Sequence, residues 1–219
     1  MKFIPYEIKN GKENMQIDSD LLDLAITEQF KEPIFRLYGW EPACVSLGRN
    51  QKSDFLNTSL LNKYGIDVVR RLTGGRALLH DDEITYSYIC PVNFLEHGEN
   101  ITSSYKEISQ ILINALRKLG IETDFGTTKR PDTHFDYCML ISTGADLCYH
   151  GRKLIGSAQF RKDGYILQHG SILYDYNPVL LKEIFNEEVH GLTSIKEINP
   201  ALTKEDIVEI LSNVNSTKA

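Results

Sequence analysis

The chain has 219 residues, of which 42% are hydrophobic, so it is long enough to bury one sizeable core. No run approaches the roughly 20 apolar residues of a membrane-spanning helix, and residues 1–14 lack the layout of a secretion signal, so we expect a cytoplasmic protein with no membrane partner. The formal net charge of −6 argues against nucleic-acid binding, because phosphate neutralisation usually requires a basic domain.

The first half of the chain alternates between helical and strand-like segments. Apolar residues recur at helical spacing over residues 18–30, 54–63 and 104–119. Short runs rich in β-branched and aromatic residues predict strands at 34–39, 43–48, 65–72, 76–80 and 83–92. The pattern indicates a sheet with helices packed against it.

A second group of strands is predicted over residues 145–175. The run divides into three strands, joined by turns at His150-Gly151 and at residues 162–164. The second turn has the sequence Lys-Asp-Gly, which is a hairpin signal.

The pattern becomes helical again after residue 178. Ser194 and Glu197 have the spacing of a capping box, and a final helix is predicted from residue 203 to about residue 214. We therefore predict an α+β fold with a mixed β-sheet core flanked by helices. Residues 1–176 would form the main domain, and residues 177–219 would be a short helical C-terminal extension packed on it.

The strongest candidate for a ligand site is the segment RRLTGGRALLHD at residues 70–81. Adjacent glycines allow a backbone to approach a ligand closely, and arginine supplies forked donors for a phosphate or carboxylate. The alternative is an ordinary hairpin turn, which Gly-Gly between strands forms more often. The segment is not a Walker loop, since no GK[ST] follows it.

Basic residues cluster in and near the glycine-rich stretches. They could form a local cationic site for an anionic ligand or an acidic carrier protein, or simply a solvated face. The cluster contains Arg49, Arg70, Arg71, Arg76, Lys129, Arg130, Arg152, Lys153, Arg161 and Lys162.

Two further segments carry candidate groups. Lys153 lies in GRKLIGSAQ at residues 151–159, where small neighbours leave room for a ligand, although an exposed strand lysine is the alternative. His169 lies in ILQHGSILYD at residues 166–175; we favour a satisfied core histidine over a catalytic base.

The four cysteines are interpreted singly, because none forms a CxxC pair. Cys44, Cys90 and Cys148 lie in strand runs, where a free thiol behaves as a small apolar group. Cys138 lies in an irregular stretch and is the nucleophile candidate. A zinc set of His134, Cys138, Cys148 and His150 lacks the compact pairs of structural sites, so we predict no metal.

Together the three segments resemble the catalytic domain of lipoate-protein ligases, octanoyltransferases and biotin ligases. FRLYGWEPACVSLGRNQ at residues 35–51 resembles the same family, and the resemblance covers roughly residues 15–175. Within the family, the chain is most similar to octanoyl-ACP:protein N-octanoyltransferases, in which a cysteine stands fifteen residues before the motif lysine, as Cys138 stands before Lys153, with Thr143 between them.

This resemblance implies a function. Cys138 would attack an octanoyl thioester on acyl carrier protein and pass the acyl group to a lysine of a lipoyl domain or a glycine-cleavage H protein. Lys153 would favour the thiolate, and no metal or other cofactor would be needed. The implied substrate-binding residues are Arg49, Arg70, Arg71, Gly74, Gly75, Arg76, Ala77, Leu78, Leu79, His80, Ser157, Ala158 and His169.

Two alternatives remain open. Gly48–Gln51 and Asp146 are more similar to the ATP-dependent lipoate ligases, which would use ATP and magnesium, form lipoyl-AMP and depend on Lys153 rather than on Cys138. The short stretch after Tyr176 is compatible with a split ligase that needs an accessory chain. The third possibility is a noncatalytic homologue that binds an acyl group or a lipoyl domain.

Overall fold

The computed structural model describes residues 1–126, 136–140 and 144–214. The strands formed by these residues are β1 (Lys2–Lys9), β2 (Ile34–Trp40), β3 (Cys44–Leu47), β4 (Asp67–Arg70), β5 (Leu78–His80), β6 (Glu83–Pro91), β7 (Asp124–Phe125), β8 (Leu147–Tyr149), β9 (Arg152–Lys162) and β10 (Tyr165–Leu173). They form a larger mixed sheet in the order β1-β2-β6-β10-β9-β8-β7 and a smaller sheet in the order β4-β3-β5.

The helices lie mostly between and after these strands. They are α1 (Gly11–Thr27), α2 (Thr58–Tyr64), α3 (Ile101–Arg117), α4 (Pro178–Phe185), α5 (Ile195–Ile198) and α6 (Lys204–Ser212). A short 3-10 turn covers Cys138–Leu140. None of the helices in the described ranges is both long and apolar enough to cross a membrane.

The predicted α+β class is confirmed, and the main differences concern where elements begin. Helix α1 begins at Gly11 rather than at residue 18, because Asn10 and Glu13 form a complete capping box. Helix α3 begins after Asn100, whose side chain accepts a hydrogen bond from the Ser103 amide. Strands β1 and β7 were not predicted.

The central strands of the larger sheet hold the core. Strand β6 lies between β2 and β10 and pairs antiparallel with both, and all of its residues are buried. Helices α3 and α6 pack over this sheet through Leu112, Leu116 and Leu211, and α4 packs against the smaller sheet through Leu181 and Phe185. Residues beyond 176 therefore contribute to the apolar core on the larger sheet and to the apolar core on the smaller sheet.

Candidate active site

A cavity that opens to solvent lies where the two sheets, α1 and the turn at residue 138 meet, and its empty space, open solvent included, is about 420 Å³. The large apolar side chains of its wall are Met15, Tyr38, Trp40, Leu78 and Met139. Such a lining suits an apolar ligand, because burying each methylene group contributes about 0.8 kcal/mol.

Cys138 lines this cavity and lies beside Lys153. Its side chain is half-buried, and its amide donates to the Ala77 carbonyl at 2.7 Å. Lys153 is 1% exposed; its Nζ lies 3.1 Å from the Cys138 carbonyl oxygen and 3.1 Å from Asp146 Oδ2. The structure therefore brings the two residues predicted as catalytic into contact, and a buried carboxylate orients the lysine.

The other cysteines lie in the core. Burial raises the pKa of Cys44 to about 12 and that of Cys90 to about 12, so both remain protonated at neutral pH. Cys148 is buried in β8, and its Cα pairs with that of Lys153 on β9. Of the four cysteines, Cys138 is the one that lines the cavity.

Arg71 also lines the cavity, but its donors are directed into the protein. Its Nε donates to Thr73 Oγ1 at 3.1 Å, and Nη1 donates to the Ser46 carbonyl and hydroxyl oxygens at 2.8 and 3.1 Å. Its Nη2 donates to the carbonyls of Gly74 and Arg76 at 2.9 and 2.6 Å. These bonds use all five guanidinium donors and fix the Gly-Gly loop. An anionic ligand would have to replace one of them.

The charge of Arg71 nevertheless acts on the cavity. Burial lowers the pKa of Arg71, and the negative charge of a Cys138 thiolate would oppose that shift. Because an arginine remains protonated in proteins, it contributes a fixed positive charge near the thiol. Cys138 therefore lies close to two cations, Arg71 and Lys153.

His80 forms one hydroxyl–imidazole–carboxylate chain on the cavity wall. Its Nδ1 lies 2.8 Å from Glu83 Oε1, and its Nε2 lies 2.7 Å from Ser46 Oγ. The ring stacks on Trp40 with centroids 3.8 Å apart and an interplanar angle of 14°. Because a carboxylate oxygen only accepts, Nδ1 carries the proton that faces Glu83, and in the neutral ring Nε2 accepts from the Ser46 hydroxyl.

His169 forms a second chain of the same kind. Its Nδ1 lies 3.2 Å from Asp18 Oδ2, and its Nε2 lies 2.7 Å from Thr73 Oγ1. Asp18 also accepts from Arg36 at 2.8 Å and from the Tyr38 hydroxyl at 2.9 Å. Burial lowers the pKa of His169, and its contact with Asp18 offsets this only in part. With both ring nitrogens bonded, a neutral His169 has the geometry of a satisfied core histidine.

The remaining candidates fall into two groups. Leu78, Ser157 and Ala158 line the cavity with the residues described above, and Ser157 Oγ lies 2.8 Å from the Tyr86 hydroxyl. Among the described residues, the following candidates lie away from the cavity lining: Arg49, Arg70, Gly74, Gly75, Arg76, Ala77 and Leu79.

Two of these residues, Arg70 and Arg49, contact other parts of the protein. Arg70 Nη1 donates to the carbonyls of Gly48 and Gln51 at 2.6 and 2.8 Å, so it holds the preceding loop. The Arg49 guanidinium lies 5.0 Å from the centroid of the Phe160 ring.

The predicted basic cluster is partly neutralised by local ion pairs. Arg152 pairs with Glu197, and Lys162 lies 2.7 Å from Asp23. These two pairs have the character of an ordinary solvated surface. Lys129, Arg130, His134 and Thr143 lie outside the described residues.

Sequence patterns did not predict several cavity residues, among them Tyr38, Trp40, Ser46 and Thr85. An available signal was the period of two along strands, which places Arg36, Tyr38 and Trp40 on one face. A charged residue within an otherwise apolar strand indicates a buried partner, and here that partner is Asp18.

Comparison with known proteins is consistent with this geometry. The family model for the lipoyl protein ligase A/B catalytic domain matches residues 10–214. An octanoyltransferase LipM from Macrococcus caseolyticus is 35% identical over 203 residues, which cover 89% of this chain and 72% of that protein. The octanoyltransferase LipM of Carboxydothermus hydrogenoformans is 39% identical over 173 residues, which cover 78% of this chain and 64% of that protein.

Solved structures have the same fold. A crystal structure of lipoate-protein ligase A bound with ATP superposes with a TM-score of 0.75 at 20% identity, covering 96% of this chain and 81% of that chain. At this identity the likeness concerns the fold alone.

Proposed function

The chain belongs to the lipoyl protein ligase A/B catalytic domain family, and from that premise we propose that it is an octanoyltransferase of protein lipoylation that acts through Cys138. The donor is an octanoyl thioester of acyl carrier protein. The acceptor is a lysine of a lipoyl domain or of a glycine-cleavage H protein. The reaction takes place in the cytoplasm and requires no cofactor.

The observation that carries this proposal is the position of Cys138. Cys138 lines a cavity with a largely apolar wall, and the buried Lys153 ammonium lies against its backbone. Burial holds two of the other thiols, Cys44 and Cys90, in the protonated form. A thiolate is the reactive form of cysteine, and nearby cations stabilise it.

The first half-reaction is a thioester exchange. The Cys138 thiolate attacks the octanoyl carbonyl, a new carbon–sulfur bond forms, and the thiolate of the carrier leaves and takes up a proton. Because one thioester replaces another, the step is nearly isoenergetic and needs no nucleotide. Lys153 and Arg71 stabilise the thiolate at the start of this step.

The second half-reaction forms an amide. The neutral amine of the acceptor lysine attacks the carbonyl of octanoyl-Cys138, and the Cys138 thiolate leaves. The amine loses one proton in this step, which balances the protonation of the thiolate. The product is octanoyl-lysine, and the free thiol is regenerated.

The cavity supplies the specificity for an acyl chain. Met15, Trp40 and Met139 offer flexible or flat apolar surfaces, and the polar groups of His80 and Arg71 are already bonded within the protein. An alkyl chain therefore displaces water without leaving these groups unpaired. Such a lining favours an alkyl chain over a polar substrate.

The test is intact-protein mass spectrometry after the purified chain is mixed with octanoyl carrier protein in the absence of ATP. We expect an octanoyl adduct that hydroxylamine removes and that peptide mapping assigns to Cys138. The adduct should be absent from Cys138→Ser and present in the matched control Cys148→Ser. The adduct should also disappear when an acceptor lipoyl domain is added.

Three outcomes contradict the proposal. Octanoyl transfer retained by Cys138→Ser would exclude the acyl-enzyme route. Absence of an adduct, together with formation of lipoyl-AMP from lipoate and ATP, would identify a ligase. If neither reaction occurs but a lipoyl domain binds, the chain is a noncatalytic binder.

A further inference from the structure

The segment between α4 and α5 (residues 186–194) contacts the backbone of residues 136–138, the Cys138 loop. Within it, Glu187 Oε1 accepts a hydrogen bond from the Asp136 amide at 2.6 Å, and Oε2 accepts one from the Tyr137 amide at 3.2 Å. One carboxylate thus spans two consecutive amides immediately before Cys138. Such charge-assisted bonds are about twice as strong as neutral ones.

The loop is held on its other side by the strand that follows the Gly-Gly pair. The Ala77 amide donates to the Asp136 carbonyl at 3.0 Å, and the Cys138 amide donates to the Ala77 carbonyl at 2.7 Å. The Tyr137 ring is 1% exposed and stacks on Phe185 at the end of α4, with centroids 4.5 Å apart. The backbone from residue 136 to residue 138 is therefore fixed from two directions.

The same segment also fixes the backbone of Lys153. The Lys153 amide donates to the Gly191 carbonyl at 2.8 Å, and the Thr193 amide donates to the Lys153 carbonyl at 3.0 Å. Only three residues separate Glu187 from Gly191 in the sequence. A single stretch of chain therefore sets the positions of both reactive residues.

We infer that Glu187 is a positioning residue for the nucleophile, an inference that rests on the proposed role of Cys138. Its carboxylate holds the loop so that the thiol stays in the cavity and close to Lys153. Without this carboxylate the Asp136 and Tyr137 amides lose an acceptor, and the loop relaxes on that side. A shift of about 1 Å in a reacting group can cost roughly 100-fold in rate.

The test compares Glu187→Ala with the neighbouring Glu188→Ala. Glu188 is a matched control, because its side chain is 75% exposed and pairs with the exposed Lys182. Single-turnover acylation of Cys138 by octanoyl carrier protein is measured over a range of donor concentrations. For Glu187→Ala we expect the maximal rate to fall by about 10- to 100-fold with an unchanged half-saturating concentration, and for Glu188→Ala no change.

A conservative variant separates positioning from folding. Glu187→Gln keeps one acceptor oxygen but turns a second donor toward an amide, so its rate should lie between those of the wild type and Glu187→Ala. If Glu187→Ala does not fold, the maximal acylation rate of Glu187→Gln decides alone, and it should be lower than that of the wild type. Circular dichroism and the melting temperature report the fold in each case.

Equal acylation rates for the Glu187 and Glu188 variants would overturn the inference, as would a change confined to the half-saturating concentration. Alkylation of Cys138 by iodoacetamide makes the same comparison without any donor, and it should slow several-fold in Glu187→Ala. An unchanged alkylation rate would count against Glu187. Octanoyl transfer retained by Cys138→Ser would instead count against the proposed function.

Discussion

The buried pair between Lys153 and Asp146 allows the structural and chemical roles of the lysine to be separated. The two side chains are 2% and 4% exposed, and Nζ lies 3.1 Å from Oδ2. Lys153→Met leaves the Asp146 carboxylate buried without this cation. Removing one member of a buried pair costs about 3–5 kcal/mol. We expect the free energy of unfolding to fall by that amount.

The double variant Lys153→Met with Asp146→Leu removes both charges. Replacing a buried pair by apolar side chains of similar size is often neutral or stabilising, so most of the lost stability should return. The positive charge near Cys138 does not return. Because a nearby cation favours the thiolate, acylation by octanoyl carrier protein should remain slower than in the wild type by about 10-fold or more.

Two measurements therefore compare the wild type, Lys153→Met and the double variant. Urea denaturation gives the free energy of unfolding, and single-turnover acylation gives the chemistry. If the double variant recovers both the free energy of unfolding and the acylation rate, Lys153 has a structural role and no chemical one. Full stability in the single variant would contradict the buried ion pair itself.

Three further outcomes are expected. Gly48→Ala should destabilise the chain by about 1–3 kcal/mol in urea denaturation, because the added Cβ would lie 1.9 Å from the Gly75 carbonyl oxygen. The control Gly74→Ala should have little effect, because no atom lies within 4 Å of the added Cβ. Burial lowers the pKa of His169 below its ordinary value of 6.5, so the unfolded chain binds a proton more readily than the folded chain. The stability that depends on a neutral His169 is therefore fully present above pH 6.5 and is lost as the pH falls below it. His169→Gln should flatten the fall in melting temperature on acidification. A hexanoyl donor has two fewer methylenes than octanoyl, which is worth roughly 1.6 kcal/mol, and its half-saturating concentration should rise about 15-fold; equal concentrations would argue against acyl binding in the cavity.

Much of the fold could be predicted because its determinants are local. The Lys-Asp-Gly signal is confirmed as the β9–β10 turn, in which Asp163 and Gly164 have φ values of 47° and 79°. The turn at His150 likewise lies between β8 and β9. Strand β1 was missed because Pro5 and alternating exposed residues weaken its pattern, and its parallel pairing with β2 depends on a distant partner.

The site could be predicted only where a motif carried it. Cys138 and Lys153 are fifteen positions apart, and family spacing indicated both residues. The pairing of Asp18 with His169 joins residues 151 positions apart, and no periodicity or spacing rule connects them. The same holds for Glu187, which reaches back 51 positions to Asp136. Long-range polar pairs require the fold before they can be inferred.

The two histidine chains explain how the polar part of the cavity wall could lie beside the proposed acyl chain. Ser46 and Thr73 each bond one imidazole and Arg71, so the cationic group and both rings are satisfied within the protein. A satisfied network rigidifies the wall and presents little unmet polarity to a ligand. Truncating either hydroxyl would leave an arginine donor and an imidazole nitrogen unpaired, so its first effect should be on the shape of the cavity rather than on the chemistry at Cys138.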